Sequence, residues 1–328
     1  MNTARSLRND LANFSRGVLM GAADIIPGIS GGTVALILGI YQRLVTALSR
    51  FDREFLASLK DRQFGAAARH IDLRFLVSLG LGIGVGVGSF AKLMHYLFEN
   101  QFENTFAVFF GLIVASCILV ARQIEPWNLL NLAGGMAGAA FAYWLCGRLP
   151  TNVDEFHLGY LFLCSFIAIC AMILPGISGA FVLLIMGMYY QSTGIIKNVV
   201  SFEATARDWV CLLVMWAGCA LGIVSFSKLL RWLLDHYQSL TVGVLCGFMC
   251  GSLRRIWPFK IDVTGRPDVD FKERVYENVW ISDFAGNAWI PTGLILLSAV
   301  FVLGLDWFST RQRHLSQEGE KPDGARCI

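Results

Sequence analysis

The sequence predicts an all-α polytopic membrane protein built as an inverted repeat, each half a re-entrant broken-helix hairpin followed by three transmembrane helices. Three observations carry this prediction. The chain is 55% hydrophobic and only 16% charged, whereas soluble proteins carry about 25% charged residues. Several apolar runs reach the roughly 20 residues that span a bilayer. The string Pro-Gly-Ile-Ser-Gly occurs twice, at 27–31 and at 175–179, each time within apolar sequence.

The first hairpin is predicted over 14–49, with its break at the Pro-Gly motif. Proline lacks an amide hydrogen and glycine loses the most backbone entropy, so both interrupt a helix. At membrane depth a break is tolerated only where protein or a water-filled cavity covers it. The arm over about 14–25 reaches roughly 18 Å, less than the roughly 30 Å hydrocarbon core. This length favours a re-entrant hairpin over a fully spanning broken helix, and both alternatives stay open.

A polar loop over about 50–72 separates this hairpin from three spans predicted over 73–147. The first span has a glycine at every second position from Gly80 to Gly88. No strand precedes this run and its spacing differs from the dinucleotide-binding fingerprint, so close helix–helix contact is the better interpretation. The three glycines from Gly134 to Gly138 predict the same kind of contact.

Two internal alignments predict that the chain is a duplication. Residues 27–41 laid on 175–189 give ten identities in fifteen positions. Residues 82–97 laid on 218–233 give seven identities in sixteen positions. Self-similarity of this kind indicates one structural unit that occurs twice.

The duplication divides the chain into a first repeat over 1–150 and a second over 151–310, followed by a cytoplasmic tail over 311–328. The second repeat has its hairpin over 157–191 and its spans over 208–309. Because three spans separate the hairpins, a re-entrant second hairpin enters from the opposite face of the membrane. The repeat is then inverted, with both Pro-Gly tips near the midplane, whereas fully spanning broken helices would make the halves parallel.

The repeated motif predicts an anion-binding site. A serine after each break can cap the half-helix that follows. The next amides then point, unpaired, at the membrane interior, where the helix dipole adds partial positive charge. The residues assigned to this site are Pro27, Gly28, Ser30, Gly31, Gly32 and Thr33 in the first copy and Pro175, Gly176, Ser178, Gly179 and Ala180 in the second. The alternative interpretation is a kink that only shapes helix packing.

Lys92 and Lys228 occupy equivalent positions of the two repeats, inside apolar segments. A buried ammonium group is costly and is usually paired or functional, so both lysines are assigned to the anion site. Snorkelling to the lipid headgroups is the alternative. Arg254 and Arg255 end another span and are interpreted as interfacial residues.

Asp24 and His95 are the candidate coupling residues. Asp24 lies three residues before Pro27, where a half-helix would end, and its repeat partner is Met172. A carboxylate in that position suits coupling to a proton or another cation, and a hydrogen-bonded structural role is the alternative. His95 follows Lys92 by three residues and is a candidate proton relay or an interfacial histidine.

Catalytic and cofactor motifs give no positive signal. The sequence contains no His-Glu-x-x-His and no Walker loop, so we expect neither an enzyme nor an ATP-driven pump. Asp268-x-Asp270 lies in a polar outer loop and is interpreted as solvated rather than as a metal site. We therefore expect no metal, no cofactor and no nucleic-acid partner.

The two motif copies, from Asp24 to Thr33 and from Ile173 to Gly179, together with the repeated Ser-Phe-x-Lys, resemble the bacterial polyprenyl-phosphate transporter family (PopT-like) over about 12–310. The resemblance implies a lipid flippase that returns undecaprenyl phosphate, the carrier for cell-wall and surface polysaccharide synthesis, from the outer to the inner leaflet of the cytoplasmic membrane. Coupling to an ion gradient is the accompanying expectation. Basic residues in the short loops favour an orientation with both termini inside.

Three other functions stay open from the sequence. A transporter or channel for a small soluble anion can use the same helix-terminus chemistry. An enzyme acting on lipid phosphates is disfavoured by the lack of a nucleophile or metal cluster. A membrane scaffold without transport is disfavoured by charged residues at matched repeat positions. The oligomeric state is not predicted.

Overall fold

The computed structural model describes residues 2–24, 30–148, 153, 155–263, 276–284 and 286–318. The helices of the first half are α1 (Asn2–Asp24), α2 (Gly31–Ile37), α3 (Tyr41–Ser49), α4 (Arg53–Lys60), α5 (Phe64–His70), α6 (Leu73–Asn100), α7 (Phe102–Ala121) and α8 (Leu129–Cys146). The helices of the second half are α9 (Leu158–Ile173), α10 (Gly179–Ile185), α11 (Tyr189–Val200), α12 (Ala206–His236), α13 (Gln238–Ser252) and α14 (Trp289–Glu318). The helical architecture agrees with the predicted fold class.

A short antiparallel strand pair lies between α13 and α14. Strand β1 (Lys260–Asp262) pairs with β2 (Tyr276–Asn278), and a turn of 3₁₀-helix follows at Ile281–Asp283. The helices α4 and α5 fall in the polar loop of the first half. When these two are set aside, the helices follow the same order in both halves, which supports the duplication. The inversion of the two copies stays a prediction.

Each predicted hairpin is divided more finely than the sequence suggested. The half-helices α2 and α10 have only 7 residues each. Gly39 and Gly187 follow them with φ angles of 68° and 74°, a left-handed conformation in which glycine ends helices without steric cost. The chain then turns, and α10 and α11 are bent by 117° relative to each other. The first hairpin also begins earlier than predicted, because α1 starts at Asn2.

Among the described residues, four helices are long and apolar enough to cross a membrane, namely α6, α7, α8 and α12, or up to five if α10 and α11 form one span. Of the last two predicted spans, α13 is short, with 15 residues. Helix α14 has 30 residues and covers nearly all of the predicted span over 288–309. The chain is therefore a polytopic membrane protein with long and short apolar helices.

The glycine run in α6 makes a close contact with α1 on one face only. A Cβ atom at Gly82 would clash with the backbone carbonyl of Phe14, and one at Gly86 with that of Val18. The other glycines of the run, Gly80, Gly84 and Gly88, face open space. The predicted helix–helix contact is confirmed for the pair spaced four residues apart and is wrong for the rest, because a helix repeats every 3.6 residues.

The second half repeats this contact. A Cβ atom at Gly218 of α12 would lie 2.6 Å from the carbonyl oxygen of Phe162 in α9, and one at Gly222 would lie 2.9 Å from that of Phe166. These glycines are the repeat equivalents of Gly82 and Gly86. The matched contacts support the duplication at the level of packing.

The last helix of each half packs against the other half. Gly111 of α7 leaves no room for a Cβ atom against Ile295 of α14, and Gly247 of α13 leaves none against Gly135 of α8. Gly138 also contacts α13, since a Cβ atom there would lie 2.6 Å from the carbonyl oxygen of Val244. The contact predicted for Gly134–Gly138 is thus confirmed.

These pairs belong to two compact units that do not coincide with the predicted repeats. One unit comprises Met1–Gln101 and Val120–Ile256, and it contains both motif copies and the α8–α13 pair. The other comprises Phe102–Leu119 and Trp257–Ile328, and it contains most of α7 together with α14. The predicted division near residue 150 stays a prediction.

We expect Gly82→Val to destabilise the protein by at least about 1–3 kcal/mol, because the added carbons overpack the α1–α6 contact. Gly84→Val is the matched control, since it lies on the same helix where no atom stands within 4 Å of a Cβ. Thermal unfolding in detergent and the monodisperse yield compare the two variants. Equal midpoints would contradict the one-sided contact.

Candidate functional site

The described part of the first motif copy, from Ser30 onward, lies against the second copy. The Ser30 hydroxyl accepts the N–H of Gly32 at 3.1 Å, as an N-cap does. It also donates to the carbonyl oxygen of Met172 at 3.0 Å. The carbonyl oxygen of Leu174 is a second acceptor, at 3.3 Å from the same hydroxyl. The predicted cap at Ser30 is confirmed, and the same side chain reaches the end of α9.

Two more side chains of the first half satisfy backbone groups at the second break. The Thr33 hydroxyl accepts the N–H of Gly176 at 2.8 Å, and the Tyr41 hydroxyl donates to the carbonyl oxygen of Ile173 at 3.1 Å. Both side chains are buried. The last carbonyls of α9 have no partner within their own helix, and lipid would supply none. The first half therefore covers the second break.

The amides of the first half-helix are already occupied. Gly31 donates its N–H to Asp24 Oδ1 at 2.6 Å, Gly32 donates to Ser30, and the N–H of Thr33 lies 2.9 Å from the carbonyl oxygen of Ser30. The prediction that these three amides are unpaired is therefore wrong. Asp24 ends α1 close enough to provide the anion that the start of α2 attracts.

The absence of a side chain at position 31 gives this carboxylate room to approach the amide. A Cβ atom on Gly31 would lie 2.7 Å from Asp24 Oδ2, too close for an unstrained contact. The arrangement matches the hydrogen-bonded structural role that was the alternative for Asp24. It also shows that the backbone at this position receives an oxyanion directly.

The second half-helix has no such cap. Ser178 makes no capping hydrogen bond with its side chain, so the cap predicted there is wrong. Within the described part of the chain, the amides of Gly179 and Ala180 have no hydrogen-bond acceptor. Met172 occupies the position equivalent to Asp24 and has no oxyanion to offer. The two breaks are consequently not chemically equivalent.

The second break rests on α13. Gly176 has a φ of 87° and therefore favours glycine. A Cβ atom there would lie 2.8 Å from the carbonyl oxygen of Phe248. Gly179 packs in a similar way on α9, where its Cβ atom would lie 2.7 Å from the carbonyl oxygen of Ala168. Both glycines of this copy, together with the buried Pro175, serve close backbone packing.

The two predicted lysines are exposed rather than buried. Lys92 lies in α6 and Lys228 in α12, and neither forms a hydrogen bond or ion pair with any described residue. Each lies six residues after a packed glycine, Gly86 or Gly222, which is about 240° around the helix. Both lysines therefore lie away from the packing face of their helix, and their assignment to the anion site stays a prediction.

Several predicted residues fall where no side chain is described. Pro27 and Gly28 lie outside the described residues, and so do Asp268 and Asp270 of the outer loop. His95 belongs to α6, but its side chain is outside the described set. Their assigned roles stay predictions.

Two arginines after α13, both interpreted from the sequence as interfacial, have different surroundings. Arg254 turns to α8, where it donates to the carbonyl oxygen of Tyr143 at 3.1 Å and lies 4.3 Å from the centre of that ring. Arg255 turns to the second half-helix, and its guanidinium carbon lies 4.5 Å from the centre of the Phe181 ring. The alignment of the two repeats does not identify Arg255 as a shared residue, because its equivalent in the first half is Leu119.

A three-residue cluster lies in the polar loop. Ligand atoms of Asp52, Glu54 and His70 lie within 4.8 Å of one another. Asp52 caps α4 through the N–H of Phe55 and contacts His70 Nε2 at 3.1 Å, so two of the three side chains already bond to protein atoms. Partial burial would raise the pKa of Asp52, but these hydrogen bonds outweigh it and the pKa is lowered. The resulting stabilisation is present at neutral pH and is lost as the pH falls through the lowered value.

We expect Thr33→Val to lower the free energy of unfolding by about 1–3 kcal/mol, because it keeps the shape of the side chain but leaves the Gly176 amide without a partner. Thr193→Val is the control, since the Thr193 hydroxyl bonds only to carbonyls of its own helix α11. Thermal unfolding in detergent measures both. An unchanged midpoint for Thr33→Val would contradict the cross-break bond.

The sequence of this chain matches known proteins over most of its length. Residues 20–270 match a family model described as undecaprenyl phosphate translocase-like. The chain is 36% identical over 311 residues to a polyprenyl-phosphate transporter of Vibrio cholerae serotype O1, covering 92% of this chain and 98% of that protein. It is 29% identical over 261 residues to a polyprenyl-phosphate transporter of Staphylococcus aureus, covering 75% and 86% respectively. No solved structure matches it significantly.

Proposed function

Because the chain belongs to the undecaprenyl phosphate translocase-like family, we propose that it transports a polyprenyl phosphate, with undecaprenyl phosphate as the substrate. The relatives are named polyprenyl-phosphate transporters, and the family model matches most of the chain. The transport we propose is a flip of the lipid from the outer to the inner leaflet of the cytoplasmic membrane. It would return the carrier for cell-wall and surface polysaccharide synthesis.

The observation that carries the proposed site is the bond between the Asp24 carboxylate and the Gly31 amide. A carboxylate and a phosphate monoester both present anionic oxygens to backbone N–H groups. The phosphate headgroup would therefore bind between the two breaks, at the amides after Ser30 and after Ser178. An incoming phosphate would compete with Asp24 at the first break, whereas the amides at the second break are not capped by a side chain.

Competition at the first break suggests how an ion gradient is used. A protonated Asp24 no longer offers a full negative charge to the amide of Gly31, so proton binding would release this amide to the phosphate. Rocking of one repeat against the other would then expose the site to alternate leaflets. His95 stays a candidate relay for the proton. Lys92 and Lys228, exposed on α6 and α12, would contact the headgroup as it enters or leaves.

The remaining parts of the proposal concern the membrane. We propose inverted repeats with re-entrant breaks near the midplane and both termini in the cytoplasm.

A transporter of a small soluble anion would use the same amides, but it would need no opening to the lipid for a polyprenyl tail. Competition between short-chain polyprenyl phosphate and inorganic anions separates the two functions.

We expect purified protein in liposomes to deplete undecaprenyl phosphate from the outer leaflet, faster with an imposed proton gradient. Asp24→Asn should abolish the response to the gradient, because the amide side chain cannot exchange a proton. Asp61→Asn, at an exposed position after α4, is the matched control and should behave as the unmodified protein.

Two results would count against the proposal at different points. Absence of lipid movement under every gradient, with folded protein confirmed, would contradict lipid transport and favour a soluble anion. Lipid movement with an intact gradient response in Asp24→Asn would leave transport in place and remove Asp24 from the coupling step.

A further inference from the structure

We infer that a polar cavity between α1, α3 and the start of α6 binds the zwitterionic headgroup of an aminophospholipid such as phosphatidylethanolamine. The cavity measures about 130 Å³, whereas a single water needs only about 10–15 Å³. It contains none of the residues of the proposed phosphate site, so the inference goes beyond the proposed function and does not rest on it. The charges and unpaired donors that line the cavity carry it.

The cavity lies at one end of a membrane span. The apolar stretch of α6 that is long enough to span begins at Leu73, between the cavity residues Asp72 and Arg74. Charged side chains at the end of a span lie at the level of the lipid headgroups. Leu7 and Leu11 of α1, within one turn of the cavity, are exposed. Apolar surface beside a polar cavity suits a ligand that has acyl chains as well as a charged headgroup.

The formal charges in the cavity sum to zero. Arg43 donates its Nε–H to Asp72 Oδ2 at 2.7 Å, and Arg74 donates from Nε to Asp10 Oδ2 at 2.8 Å in a two-pronged ion pair. A phosphate monoester would meet two carboxylates here, which repel it. A zwitterion instead finds an opposite charge for both its phosphodiester and its ammonium group. The balance of charge therefore favours an aminophospholipid over the substrate of the proposed transport.

Asn13 contributes buried hydrogen-bond donors without an acceptor. The residue is 3% exposed, and its Oδ1 accepts the Nη1–H of Arg16 at 3.0 Å. Since arginine only donates, this bond identifies the other side-chain atom as the nitrogen. Within the described part of the chain the NH₂ group has no acceptor. Because this nitrogen is not fully buried, it opens to the cavity that Asn13 lines. A phosphate oxygen there would supply the missing acceptor.

Arg43 presents further donors to the same cavity. Its guanidinium carbon lies 4.3 Å from the centre of the Phe75 ring, and Phe75 is 1% exposed, so the ring is a fixed platform for the planar group. Among the described residues only the Nε–H of Arg43 has an acceptor. The ring contacts the face of the guanidinium, which leaves the two terminal nitrogens at its edge for phosphate oxygens.

Asp72 offers an acceptor for the ammonium group. It precedes α6 with φ 51° and ψ 47°, a left-handed conformation that is rare for residues other than glycine. Its side chain does not cap the helix. Oδ2 accepts from Arg43, whereas Oδ1 has no donor in the part of the chain that the structure describes. A primary ammonium group supplies N–H donors for this oxygen, and a trimethylated choline has none.

The test measures lipid binding to delipidated protein in detergent by native mass spectrometry. The probes are phosphatidylethanolamine, phosphatidylcholine and phosphatidylglycerol with identical acyl chains, and soluble glycerophosphoethanolamine. We expect the unmodified protein to bind phosphatidylethanolamine at least about fivefold more tightly than the other two lipids. Glycerophosphoethanolamine should bind at least about tenfold more weakly than phosphatidylethanolamine, because it lacks the acyl chains.

Two variants locate the headgroup. Asn13→Asp should abolish the preference, because it replaces the free donors by an anionic oxygen and keeps an acceptor for Arg16. Arg43→Lys should weaken phosphatidylethanolamine binding at least about threefold, since lysine keeps the charge but not the planar edge. Asn128→Asp is the matched control: it adds the same charge at the start of α8, where Asn128 caps the helix and an aspartate does so equally well. Thermal unfolding without lipid confirms that each variant is folded.

Four results would overturn the inference. Equal binding of the three lipids would remove the zwitterion, and equally tight binding of glycerophosphoethanolamine would remove the lipid. A preference that persists in both Asn13→Asp and Arg43→Lys would place the headgroup elsewhere. An equal loss in Asn128→Asp would replace the direct contact by a general effect of charge. Each of these results leaves the proposed transport standing, because the liposome assay of undecaprenyl phosphate tests it separately.

Discussion

The structure depends on one constraint: each backbone N–H and C=O freed by a helix break in lipid needs a partner from the protein. At the second break Ser30 and Tyr41 supply donors to carbonyls at the end of α9, and Thr33 accepts the Gly176 amide. The amides of Gly179 and Ala180 are the described groups of this break that have no acceptor. The close approach requires small residues, and Gly32 provides one, since a Cβ atom there would lie 2.7 Å from the Ile173 carbonyl oxygen. The motif region thus interrupts the helices, and its first copy also supplies side chains that bond to backbone groups freed at the second break.

Much of the local structure could be predicted from the sequence. The two breaks, the Ser30 cap, the contact face of Gly82 and Gly86 and the family follow from motif chemistry and helical periodicity. The polar partners could not be predicted, because Ser30 and Met172 are 142 residues apart and their meeting depends on tertiary packing. Apolar surroundings in the sequence likewise do not reveal which helix face a lysine occupies.

Duplication explains the backbone but not the chemistry of the site. The copies share helix order, glycine contacts and the turns at Gly39 and Gly187. They differ at positions of the proposed site, with Asp24 opposite Met172 and Thr33 opposite Phe181. Symmetry in the fold and divergence in the side chains together give two unlike breaks. Comparing the repeats only for identities emphasises the shared scaffold and overlooks the functional differences.

The exchange of the last helices between the halves has a consequence for biogenesis. Helix α7 packs against α14, and α8 packs against α13, so these helices of the first half acquire their partners only after the corresponding helices of the second half have been made. Until then their glycine faces lie open in the bilayer, where lipid chains or other proteins must fill the grooves. A translation product that stops before α13 would therefore keep these glycine faces exposed to lipid.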